Sequence, residues 1–213
     1  MIFLGPWLLL FLLLPFLFML LFFNLATFSF ARLGLSPEGA VLFFLACLLG
    51  SVINLPVSRR RVVTTPRATI PFFVFYYPPV VQEQTICVNV GGALLPTGLS
   101  LYLLATRAPL IPSLAAVGVV ALVTKVLARP ITGVGITMPA FVPPLLAAVC
   151  ALALSPQNPA AVAYVSGALG TLLGADLLNW GAIRRLGAQA VSIGGAGVFD
   201  GIFLVGVVAA FLA

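Results

Sequence analysis

Polar residues punctuate this chain sparsely. Cutting it at charges and at Pro/Gly breaks leaves seven apolar runs of about the 20 residues a helix needs to cross a bilayer. They cover approximately Ile2 to Phe23, Glu38 to Val57, Ile86 to Ala105, Leu110 to Leu127, Ile131 to Leu154, Ala160 to Trp180 and Val191 to Ala213. The first run lacks a basic leader and a small-residue cleavage site, so it reads as a spanning helix instead of a secretory signal. One longer polar stretch, SRRRVVTTPRATIPFFVFYYPPVVQEQT over residues 58–85, is rich in Val, Thr, Ile, Phe and Tyr and broken by prolines. That pattern predicts a short β-hairpin between spans two and three. Its aromatic residues Phe72, Phe73, Tyr76 and Tyr77 suit an interfacial connector, and an exposed strand edge there suits pairing with an extended peptide.

The expected fold is an all-α membrane protein of about seven transmembrane helices, one polytopic domain over residues 1–213, with a β-hairpin-like cytoplasmic loop. Composition agrees: 62% of the 213 residues are hydrophobic and 7% are charged, far below the roughly 25% of soluble domains. The net charge of +6 comes from basic residues scattered between apolar runs, not gathered on one polar face, so it is no nucleic-acid footprint. Their distribution instead predicts orientation. Arg59, Arg60, Arg61, Arg67, Lys125, Arg129, Arg184 and Arg185 fall on one set of alternate loops, and only Arg32 and Arg107 fall on the other. By the positive-inside rule the N-terminus is cytoplasmic and the C-terminus lies outside, in a multi-pass inner (plasma) membrane protein whose surroundings are membrane lipid.

Missing residue types narrow the chemistry. The chain has no histidine, which excludes a serine–histidine intramembrane protease, an HExxH zinc site and His-ligated haem. Cys47, Cys87 and Cys150 are far apart in apolar runs and read as small buried hydrophobes. No ligand spacing favours a metal, and no cofactor is expected. The lone Lys125 sits near the basic end of span four, where snorkelling accounts for it without a Schiff base.

What remains is a pair of acids. Asp176 (GTLLGADLLNW) and Asp200 (SIGGAGVFDGIFLVG) are the only aspartates, each within an apolar run where a carboxylate costs about 2.5 to 3.5 kcal/mol on insertion scales. They lie on consecutive antiparallel spans, which are usually neighbours. Their depths converge if the linker LGAQAVS uses several residues before the last helix starts. Two carboxyls held together in low dielectric share a proton, one acting as base on a water and the other as acid on a carbonyl. The glycines and prolines concentrated in Asn89–Pro96, Gly133–Pro144, Ser166–Asp176 and Ser192–Gly201 permit close helix packing, or unwinding around a buried cavity. Asn89 and Asn179 are the other intramembrane polar groups, suited to hydrogen bonds across helices or to orienting the acids or an incoming carbonyl.

This arrangement resembles the presenilin and signal-peptide-peptidase class of intramembrane aspartyl proteases, whose catalytic aspartates lie on spans six and seven. The resemblance implies Asp176 and Asp200 as the catalytic dyad, with Gly174, Gly197 and Pro139 in the surrounding motifs and a transmembrane or membrane-associated peptide as substrate. The chain departs from the class at Phe199, where a GxGD pattern has glycine, at Ala175, where a tyrosine often stands, and at Pro139-Ala140-Phe141, a partial Pro-Ala-Leu that precedes the acids. The segments VNVGGALLP, GITMPAFVPP, LGADLLN and SIGGAGVFDGIFL together resemble more closely an uncharacterised prokaryotic family of small polytopic membrane proteins. Three functions stay open at this point: diaspartyl proteolysis, proton- or cation-coupled transport through the aspartates, and a non-catalytic scaffold. The apolar outer halves of spans six and seven favour a site reached from the cytoplasmic side.

Overall fold

The computed structural model describes residues 4–64, 80–131, 135–183, 190–195 and 201–213. In chain order the elements are helices α1 (Leu4–Arg32) and α2 (Pro37–Gly50), strands β1 (Asn54–Thr64) and β2 (Val80–Asn89), a π-helical segment (Val90–Leu94) and α3 (Leu95–Thr106). Then come α4 (Leu110–Leu127), β3 (Arg129–Ile131), β4 (Gly135–Thr137), α5 (Val142–Leu154) and α6 (Pro159–Thr171). A second π-helical segment (Leu172–Leu177), α7 (Trp180–Ile183), β5 (Ala190–Ile193) and α8 (Gly201–Leu212) complete the fold.

The chain is mostly helical. Leu13–Arg32, Leu110–Leu127 and Pro159–Leu177 are long and apolar enough to cross a membrane, and four shorter apolar helices accompany them: Pro37–Gly50, Val90–Thr106, Val142–Leu154 and Phe203–Leu212. Each of the seven expected runs thus holds one apolar helix, but the strands correct the all-α expectation. β1 and β2 form the anticipated antiparallel hairpin, yet they take residues 54–57 and 86–89 from the expected second and third spans. Pro56 supplies the reason on β1, since it lacks the N–H that a continuing helix needs, and the ladder bulges between Pro56 and Ser58. β5 adds to β2 in parallel, giving the order β1-β2-β5, where the sequence was read as the start of the last span. The fifth expected span likewise begins late. Residues 129–137 hold the small β3–β4 hairpin, and α5 starts at Val142 with Pro143 and Pro144 in its first turn, where the missing N–H groups do no harm. The first run errs the other way, continuing to Arg32, because Asn24, Thr27 and Ser29 return their side-chain hydrogen bonds to carbonyls one turn back. The aromatic residues of the hairpin, Phe72, Phe73, Tyr76 and Tyr77, lie outside the described residues.

α6 is the hub. Eleven of its residues are buried, and it packs against α1, α3, α4, α5 and α8. Small residues make this possible. A Cβ on Gly167 would press on Val205 and Ala209 of α8, one on Gly170 would meet Val120 of α4 at 2.7 Å, and one on Gly174 would strike the Thr124 hydroxyl and the Ala121 carbonyl. Close backbone approach is how apolar helices associate where lipid offers no hydrophobic driving force.

The bundle has two unlike ends. All five strands and both π-helical segments collect at one end, where Lys125, Arg129 and Arg59 also lie. At the other end two arginines act on backbone: Arg32 donates to the carbonyls of Ala210 (3.3 Å) and Phe211 (2.8 Å) at the close of α8, and Arg107 donates to Gly34 O (3.3 Å). Arg107 O in turn accepts from Asn158 Nδ2 at 2.9 Å. Cations at helix C-termini complement the terminal carbonyls and the dipole.

Replacing Gly174 with Ala is expected to lower stability by about 1 to 3 kcal/mol through overpacking against α4, whereas Gly118→Ala, with open space around it, is expected to be neutral or mildly stabilising. Thermal unfolding of the two variants in detergent checks the contrast.

Candidate functional site

The strand-bearing end gathers several buried polar groups around two helix irregularities. The first follows β2. Asn89 is fully buried and caps the π-helical segment Val90–Leu94: its Oδ1 accepts from Gly92 N–H at 2.7 Å, and its Nδ2 donates to Ser51 O at 2.6 Å and Asn54 Oδ1 at 3.1 Å. Asn54 Oδ1 also accepts from the Ser192 hydroxyl, so one amide pair ties α2, β1, β5 and the start of α3. The backbones are very close here. A Cβ on Gly91 would strike Cys47 O and Ser51 N, which only glycine avoids.

The second irregularity carries the acid. Asp176 sits half-buried in the π-helical segment Leu172–Leu177 that ends α6, and its Oδ2 accepts from Gly194 N–H at 2.9 Å. Gly194 has φ +83°, open to glycine and strained for other residues, and a Cβ on it would come within 2.5 Å of Ala93 Cβ. Gly194 therefore wedges between the two π-helical segments: its amide holds Asp176, and its bare Cα packs on Ala93. A π-helix carries i→i+5 hydrogen bonds and turns more slowly than an α-helix, so residues five apart lie toward one face. Thr171 and Asp176 have that spacing, and Tyr164 lies two α-turns before Thr171. Thr171 Oγ1 and Tyr164 Oη are both buried and have no hydrogen-bond partner among the described residues, as does Ser113 Oγ on α4.

Of the residues anticipated from the sequence, Asp176 and Asn89 come together indirectly, through Gly194 and Ala93. Asn179 turns inward on its own chain, donating to Gly174 O at 3.1 Å and Lys125 O at 3.4 Å, so it secures the end of the irregular segment against α4. Gly174 serves close packing. Pro139 is exposed between β4 and α5, where its carbonyl accepts from Val142 N–H at 3.3 Å, and no contact joins it to Asp176 among the described residues. Asp200 and Gly197 lie outside the described residues. Ser51, Asn54, Ser192 and the amide of Gly194 were missed. Each sits in a run whose apolar neighbours read as continuous helix, and only the strands bring them to one point.

A family model described as Protein of unknown function (DUF1614) matches residues 48–212. The chain belongs to this family. The DUF1614 match runs from the end of α2 into α8 and so takes in Asn89, Asp176, Gly194 and the whole polar node. No curated protein and no solved structure matches the chain.

Asn89→Ala is expected to destabilise the fold by about 1 to 3 kcal/mol, since it removes a cap and leaves Gly92 N–H and Ser51 O without their buried partner. Asn89→Asp keeps the cap acceptor but loses the donor to Ser51 and Asn54, so it is expected to restore only part of that loss in the same unfolding measurement.

Proposed function

We propose that this protein is an intramembrane peptide-bond hydrolase using Asp176 and Asp200 as a carboxylate pair. The observation that carries the reading is the packing of α6 on α8. The two helices run antiparallel in contact, with Gly206 against the Tyr164 ring and Gly167 against Val205. Continuing that register brings Gly201, the first residue of α8, to about the level of Thr171, roughly one turn from Asp176. Asp200 is its neighbour in the chain. Seven membrane-crossing helices in a prokaryotic inner membrane are part of the same reading, and the placement of the basic residues supports the strand-bearing end as its cytoplasmic side.

The chemistry needs only the two acids and water. The ionised carboxylate takes a proton from water as the water oxygen bonds to the peptide carbonyl carbon, while the protonated partner gives its proton to the carbonyl oxygen. Collapse of the tetrahedral intermediate re-forms the carbonyl, breaks the C–N bond and delivers a proton to the leaving nitrogen. The Gly194 amide on Oδ2 fixes one Asp176 oxygen and leaves Oδ1 to face the reactants. This is the chemistry of the presenilin class, reached here from the paired acids and not from kinship.

One observation favours a second reading. The unpartnered hydroxyls of Thr171 and Tyr164 continue from Asp176 along one face of α6 toward the opposite end, as a proton path would. Asp176→Asn and Asp200→Asn are each expected to abolish cleavage of a reconstituted transmembrane peptide while unfolding at an unchanged temperature. Cleavage surviving either substitution refutes the dyad. Proton flux into liposomes that is lost in Asp176→Asn and in Tyr164→Phe establishes transport instead.

A further inference from the structure

The helices differ in length in a way that fixes the depth of the sheet. α1 has 29 residues, about 43 Å, whereas α2, α5 and α8 have 14, 13 and 12 residues, about 21, 20 and 18 Å. Three of these share a level at the end away from the strands. Arg32 closes α1 and bonds the last carbonyls of α8, and the short turn after Arg32 leads directly into α2. From that level α2 and α8 stop about 20 Å away, while α1 continues as far again with an apolar, exposed surface: Phe11, Phe16, Phe18 and Leu21 are all more than 60% exposed. A hydrocarbon slab about 30 Å thick starting at the shared level therefore reaches about 10 Å past the ends of α2 and α8. The root of the β-sheet lies in that interval.

The side chains there fit the placement. Val52 and Ile53, just before β1, and Leu55 and Val57 at its start are exposed and apolar, as lipid-facing residues are. Beside them lie Ser51, Asn54, Asn89, Ser192 and Asp176, the polar groups of the candidate site, of which Ser51 and Asn89 are buried and Asn54 is exposed. β1 and β5 each pair with β2 along one edge, and no strand covers the other edge of either among the described residues. Non-helical backbone at membrane depth is tolerated only where protein buries it or water bathes it, because an unsatisfied N–H or C=O costs several kcal/mol in hydrocarbon.

We infer that the root of the sheet is re-entrant and lines a water-filled vestibule, open on the arginine-rich face, that reaches β5 and Asp176 below the level of the surrounding lipid. Lipid meets the exposed apolar side chains of residues 52–57, and water reaches the uncovered backbone edges of the sheet. The inference is independent of whether Asp176 catalyses anything, since a vestibule serves hydrolysis and ion entry alike.

Cysteine accessibility tests it. In full-length protein with Cys47, Cys87 and Cys150 replaced by Ala, Ser192→Cys and, separately, Val57→Cys are reconstituted into liposomes and exposed to a membrane-impermeant maleimide on one face at a time. The expected result is modification of Ser192→Cys from the arginine-rich face alone and none of Val57→Cys. The wild-type Cys87, which pairs in register with Ser192, gives the same readout without substitution, with Cys47→Ala and Cys150→Ala removing the other thiols. Silence at both Ser192→Cys and Cys87, relieved by denaturant, shows a dry site and overturns the inference. Equal modification of Val57→Cys also overturns it, by placing the whole sheet outside the lipid.

Discussion

Five helices can share one neighbour only if that neighbour is thin. α6, PAAVAYVSGALGT, is thin because most of its positions are Ala, Gly, Ser or Val, and its glycines admit the backbones of α4 and α8 where a methyl group would keep them apart. Lipid solvates apolar side chains as well as protein does, so dispersion over these close contacts, and not hydrophobic exclusion, has to hold such helices together. Everything at the strand-bearing end depends on it. The π-helical turn that carries Asp176 is the continuation of α6, and its position against α4 is set by Gly174 resting on Thr124 and Ala121. A bulkier α6 would push the acid away from the glycine that holds it.

Hydrophobic patterning made the helices legible, because seven apolar runs separated by charges and Pro/Gly breaks are a strong signal. It did not make their ends legible. Leu55 and Val57 prolong the apolar run of the helix before them, and the switch to strand depends on pairing with residues 86–89, a partner the local pattern does not contain. β5 was hidden for the same reason: AVSI reads as the start of a helix until β2 is seen beside it. The tertiary partner decided these segments, as strand preferences generally require. The acids were visible because they are rare in apolar runs, but the partner of Asp176 was not. A backbone N–H carries no sequence signature, and the only hint was that Gly194 stands in a glycine-rich turn.

The basic residues divide into two populations with different work. Lys125, Arg129 and Arg59 lie at the strand-bearing end. Arg32 and Arg107 lie at the other end, and both are spent on helix ends and turns, giving hydrogen bonds to carbonyls that have no intrahelical donor. They count as structural cations, set by the carbonyls they serve.

The π-helical turn at Leu172–Leu177 has a consequence for how this protein can vary. Such a turn is an α-helix with one residue too many, and the surplus is absorbed by local widening while the helix on either side keeps its phase. Shortening the segment by one residue would restore a regular helix and swing Asp176 by about 100° around the axis, off Gly194 altogether. The aim of the carboxylate is thus encoded in the number of residues between Thr171 and Leu178 as much as in their identity, and a related chain could keep every side chain of the site yet lose its geometry by a single deletion.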